Sequence, residues 1–68
     1  MRFNEILRLL MAEHDVTSRQ LAKELRIPRY MLDHFARGTE EPGFDTLKRM
    51  AAYFCVSTDY LLDYRGGE

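Results

Sequence analysis

Residues 17–38 read TSRQLAKELRIPRYMLDHFARG, and the placing of their apolar side chains decides the fold. Leu21, Ala22 and Leu25 fall on one face of a helix turning every 3.6 residues, while Arg19, Lys23 and Glu24 point elsewhere. Either Thr17 or Ser18 can start that helix by offering a hydroxyl oxygen to the free N–H groups of its first turn. The pattern then breaks. Pro28 disfavours helical geometry at Ile27 but suits the first turn of a new helix, where its missing N–H costs nothing, so Arg26-Ile27 reads as a tight turn. The next helix is expected from Pro28 to Arg37, burying Leu32 and Phe35 and ending at Gly38, which can take the left-handed cap conformation.

Outward from this pair the period persists. Phe3, Ile6, Leu7, Leu10 and Met11 form one stripe of a helix from about Arg2 to Glu13, interrupted at His14-Asp15. Beyond Gly38, Glu40 to Gly43 make a loop, and a fourth helix runs from Phe44 or Asp45 to Phe54 with Leu47, Met50, Ala51 and Phe54 inside. Ser57 or Thr58 caps a short fifth helix, Asp59 to Asp63, carrying Leu61 and Leu62. No stretch alternates with period two, so the fold is expected to be all-α, one domain over 1–64 with a frayed tail at 65–68.

The chain has 68 residues, with ten Lys or Arg against eleven Asp or Glu, which suits one small domain and leaves no room for two. A core this small supplies about 3–5 kcal/mol, so a staple or a partner subunit is to be expected. The single Cys55 forms no internal disulfide, and with only His14 and His34 no zinc-type cluster exists. A reduced, cytoplasmic setting and a homodimer follow as expectations, with neither metal nor cofactor. No apolar run nears the roughly 18 residues of a membrane span. The near-neutral total hides an asymmetry: Thr17 to Arg37 holds five basic residues and two acidic ones, and the remainder five against nine.

Two short helices joined by a tight turn, the second entered through proline and flanked by arginines, fit a helix-turn-helix, whose second helix enters the DNA major groove. The order Val16-Thr17, Leu21-Ala22, Leu25, Ile27, Leu32, Phe35, Arg37-Gly38, then Pro42, Leu47, Ala51, Phe54, Val56-Ser57 and Asp59-Tyr60-Leu61-Leu62 closely resembles the Cro-type, lambda-repressor-like (XRE) helix-turn-helix family. The resemblance spans nearly the whole chain. It implies a five-helix DNA-binding domain of a transcriptional regulator, usually a homodimer on a two-fold symmetric operator, and here a repressor that excludes polymerase. Where relatives commonly have glycine, this chain has Asp15, Arg26 and Cys55, each expected at positive φ at some steric cost. Ser18 stands for a frequent Gln and Ala36 for a frequent Glu. Thr39-Glu40-Glu41 replaces an often basic loop.

By analogy with that family, Arg29, Tyr30 and His34 occupy base-reading positions, with Met31 at their margin; Arg29 has the geometry for a bidentate pair with guanine O6 and N7. Ser18, Arg19, Lys23 and Arg37 are expected on phosphates. Asp33 could accept from cytosine, but pairing with Arg29 or Arg37 along the helix is the favoured expectation. Without the helix-turn-helix spacing these arginines would read as an ordinary solvated face; Met11, Met31 and Met50 read as packing rather than as a cofactor box. A dimer surface is expected at Tyr53, Tyr60, Leu61 and Tyr64, with plain coverage of the monomer core as the alternative for Tyr60 and Leu61. No Gly-rich phosphate loop and no nucleophile with a base points to an enzyme. The rival class is a protein-interaction module of the same fold, such as an antitoxin or anti-repressor, for which the acidic loop, Asp33 and the net charge of −1 speak.

Overall fold

The computed structural model describes residues 3–62 and builds them from five helices: α1 (Phe3–Glu13), α2 (Ser18–Leu25), α3 (Arg29–Arg37), α4 (Phe44–Phe54) and α5 (Thr58–Leu62). No strand occurs among the described residues. The expected tail, Arg65 to Glu68, and Tyr64 of the expected dimer surface lie outside them.

A single core joins all five helices. Phe3, Ile6, Leu7 and Leu10 from α1, Leu21, Ala22 and Leu25 from α2, Leu32 and Phe35 from α3, and Leu47, Met50, Ala51 and Phe54 from α4 are buried together with Leu61 of α5. Each large one contributes about 1.5–3 kcal/mol by leaving water. Met11 is only half-buried against this cluster. Helix α2 packs on α3 and α4, while α1 packs on α3 and α5, so α2 and α3 are held as a rigid pair from both sides. Arg49 of α4 adds a tie, donating from Nη1 to the Leu25 carbonyl oxygen at 3.1 Å.

Two starts, those of α3 and α5, differ from the sequence reading by one residue. Helix α2 starts at Ser18 as expected, and of its two candidate caps Thr17 is the one that acts: its Oγ1 accepts from the Gln20 N–H at 3.1 Å, and Gln20 Oε1 accepts from the Thr17 N–H at 3.0 Å. This reciprocal arrangement satisfies two donors that would otherwise lack partners. Pro28 precedes α3 as its cap, with φ −62° and extended ψ of 146°, rather than forming its first turn. Helix α5 likewise begins at Thr58, because the Ser57 hydroxyl accepts from the Tyr60 N–H at 3.0 Å.

The first four helices all end the same way. The residues after them, Asp15, Arg26, Gly38 and Cys55, have φ of 53°, 59°, 83° and 59°. In each case the following N–H reaches back to a carbonyl five residues earlier: Val16 to Met11, Ile27 to Ala22, Thr39 to His34 and Val56 to Ala51, at 2.9 to 3.1 Å. Val16, Ile27 and Val56 then pack against the core, the apolar contact that accompanies this cap. Only Gly38 adopts the left-handed region without strain, and a side chain there would also press on Asn4 at 3.1 Å. The expectation of positive φ at Asp15, Arg26 and Cys55 therefore holds. Arg26→Gly is expected to raise stability by a few tenths to about 1 kcal/mol, even though glycine enlarges the unfolded ensemble. Urea unfolding measures it, and a loss would show that Arg26 stores no strain.

Candidate nucleic-acid interface

Burying Leu32 and Phe35 fixes the roll of α3, and the remaining positions follow from helical spacing. Tyr30 and Arg37 lie opposite the buried pair, with Asp33 and His34 beside them; Arg29 and Met31 border the outer face. Arg29, Arg37 and Tyr30 are exposed, Tyr30 by 64%. His34 and Asp33 are half-buried, and Met31 is half-buried against the core, so its side chain divides between packing and surface. On α2, Arg19 and Lys23 are exposed and Ser18 is half-buried at the start of the helix, beside its cap.

Fixed contacts organise part of this face. The rings of Tyr30 and His34 meet edge to face, centroids 6.4 Å apart at 88°. His34 Nδ1 lies 2.7 Å from Thr39 Oγ1. The expected pairing of Asp33 with Arg29 or Arg37 is not formed, and no ion pair ties these three residues to any other described residue. An exposed pair would gain little against the side-chain freedom it costs, which leaves both guanidinium groups available. Glu40 and Glu41 border a shallow depression with Phe3 and Asn4, beside the start of α1, where negative charge is favoured by the helix dipole.

The expected dimer surface is corrected at one position. Leu61 is wholly buried in the protomer, at 0% exposure, because a helix of five residues can turn only one position into the groove between α1 and α4. The exposed apolar groups on α5 are Tyr60 (48%) and Leu62 (51%), while Tyr53 on α4 is at the edge of exposure with its ring set against Phe54 at 5.1 Å.

Gln20, Thr39 and Arg49 escaped the sequence reading. Gln20 was recoverable, since Thr17-x-x-Gln20 has the spacing of a reciprocal cap. Thr39 and Arg49 had no such signal: the first depends on the chain reversal at Gly38, the second on a contact between residues 24 positions apart.

Against known families, a helix-turn-helix model matches residues 7–61. The chain is similar to an HTH-type transcriptional activator, BcrR, of Enterococcus faecalis: 34% identical over 62 residues, which is 91% of this chain and 30% of that protein. It is also similar to a prophage-derived uncharacterized HTH-type transcriptional regulator, YopO, of Bacillus subtilis, 32% identical over 96% of this chain and 93% of that one. Among solved structures, a transcriptional regulator from Listeria innocua superposes with a TM-score of 0.92 at 30% identity, covering 98% of this chain and 63% of that one. This chain thus spans less than a third of BcrR but nearly all of YopO.

Proposed function

Because the chain belongs to the helix-turn-helix family, we propose that it is a sequence-specific DNA-binding transcriptional regulator, a non-enzymatic protein that inserts α3 into the major groove. The observation that carries this reading is the α2–α3 pair itself. It is locked by the cap at Thr17 and the turn at Arg26, and it presents Arg29, Tyr30, His34 and Arg37 on one outer face, with no ion pair to another described residue to consume the arginines. Phosphate contacts from Ser18, Arg19, Lys23 and Arg37 position the domain, and Arg29, Tyr30, Met31 and His34 read base edges.

One recognition helix covers too few base pairs to single out a site in a genome, which supports a homodimer on a palindromic operator with half-sites about 34 Å apart. Tyr53, Tyr60, Leu62 and Tyr64 supply its contact surface. Occupancy of a site by such a domain excludes polymerase from the DNA it covers, which supports repression. No helix among the described residues is long and apolar enough to cross a membrane.

A salt series on duplex DNA tests the reading. With Arg19, Lys23 and Arg37 each neutralising one phosphate, log K should fall against log salt with a slope of about −3 per domain. A flat response with little binding at any salt would instead favour the protein-interaction module.

A further inference from the structure

The elbow between α2 and α3 is bonded on each side but not across. Arg26 and Ile27 return their N–H groups to the carbonyls of Lys23 and Ala22 at 3.2 and 3.0 Å, and on the far side the Pro28 carbonyl oxygen accepts from Met31 and Leu32 at 3.1 and 3.4 Å. The Leu25 carbonyl falls between the two sets. A continuing helix would offer it the N–H of residue 28 or 29, but Pro28 has none, and no backbone N–H among the described residues reaches it. Leu25 is also only 1% exposed, which shuts bulk water out. Its partner is Arg49 Nη1, at 3.1 Å, brought from α4 across 24 positions of sequence. A guanidinium only donates and a carbonyl only accepts, so the direction of this bond follows from the groups themselves.

We propose that Arg49 is a positioning residue for base reading: without touching DNA, it fixes the elbow from which α3 starts and so aims Arg29, the first residue of that helix. This deepens the proposed DNA reading and rests on it. Only Arg26, Ile27 and Pro28 separate the moored carbonyl from Arg29. Two of the three leave the backbone little latitude, since the Pro28 ring fixes its φ and Arg26 occupies the left-handed region at φ 59°. With the guanidinium gone, the Leu25 carbonyl becomes a buried acceptor without a donor, a state relieved by opening the elbow to solvent. Leu21 and Leu25 pin α2 in the core, and Leu32 and Phe35 pin the later turns of α3, so the movement falls on the segment between, which carries Arg29. A bidentate guanine contact depends on direction as well as reach and is weakened by such a shift; a phosphate contact, chiefly a matter of charge, tolerates it.

Arg49→Met keeps the apolar stem and removes the donor. In selection from a random duplex library, followed by titration of single-base variants, it should discriminate roughly five- to tenfold less at the base pair that Arg29→Ala also relaxes. Non-specific affinity and the slope of log K against log salt should stay as in wild type. A uniform loss with a slope flatter by about one unit would show that Arg49 itself touches a phosphate, and unchanged preferences would show that its bond only adds stability; either result overturns the proposal. Ile6→Val, a buried change in α1, is the control: if it relaxes the same base pair as much, general softening and not the elbow is responsible, and the proposal falls. Should Arg49→Met alone unfold, both variants are made on Cys55→Gly, which relieves the strained cap at the far end of α4. Hydrogen exchange reads the elbow with no DNA present. The Met31 and Leu32 amides, bonded to Pro28, should exchange faster relative to those of α1 in Arg49→Met, and an unchanged ratio would overturn the mooring. If wild type enriches no sequence at all, the proposed function fails, while the exchange ratio still decides whether Arg49 holds the elbow.

Discussion

Leu61→Ala is expected to lower the unfolding free energy by about 2–5 kcal/mol, the range for deleting a fully buried leucine whose neighbours cannot collapse into the space. The net stability of so short a chain is only about 3–5 kcal/mol, so the variant should lose most of it. The size of the effect follows from position: Leu61 is the one buried side chain of α5, and without it that helix loses its hold on α1 and α4. Tyr60→Glu, one residue earlier and half exposed, should change protomer stability by no more than about 0.5 kcal/mol. At micromolar concentration it should nevertheless shift sedimentation from dimer to monomer if α5 forms the contact between copies. Urea unfolding followed by circular dichroism reads the first effect. A Leu61→Ala loss below 1 kcal/mol would remove Leu61 from its central role, and a wild type that sediments as a monomer would remove α5 from the interface.

On DNA, Arg29→Ala should weaken the preferred site by about 1–3 kcal/mol, roughly five- to 150-fold, and relax the preference at one base pair of each half-site. Arg29 opens α3, and the first residues of a recognition helix are those that reach base edges. Its guanidinium carries no ion pair with another described residue, so none of these competes with guanine O6 and N7. Arg37, at the far end of the same helix, should behave differently: Arg37→Ala weakens all sequences alike and flattens the salt slope by about one unit. Gel-shift titrations on the selected site and on single-base variants distinguish them. Uniform losses in both variants would make Arg29 a phosphate contact and pass base reading to Tyr30, Met31 or His34.

The core and the helix order were legible because burial follows the helical period over many residues: the stripes Phe3-Ile6-Leu7-Leu10 and Leu47-Met50-Ala51-Phe54 are repeated enough to fix their own phase. Helix α5 is too short for that. Leu61 and Leu62 are equivalent by composition, and only the groove left between α1 and α4 decides that the first goes inside. The left-handed positions at Asp15, Arg26 and Cys55 were readable from where the resemblance places glycine. The candidate site was legible as a set of residues on α2 and α3 but not as a network. Asp33 lacks the partner that spacing offers it, and His34 takes one from Thr39, which chain reversal alone brings within reach.

The strained caps bear on how long a protein molecule survives in the cell. If Arg26 and Cys55 each cost about 1 kcal/mol at positive φ, the pair together multiplies the unfolded fraction by about 30 relative to glycine at both positions. Proteases consume the unfolded form, so a free molecule has a shorter lifetime than its core alone would give it. A molecule bound to DNA is protected in proportion to ligand concentration over Kd. Turnover then falls on the unbound pool, and the level of such a regulator tracks its synthesis closely while the occupied site outlasts the rest.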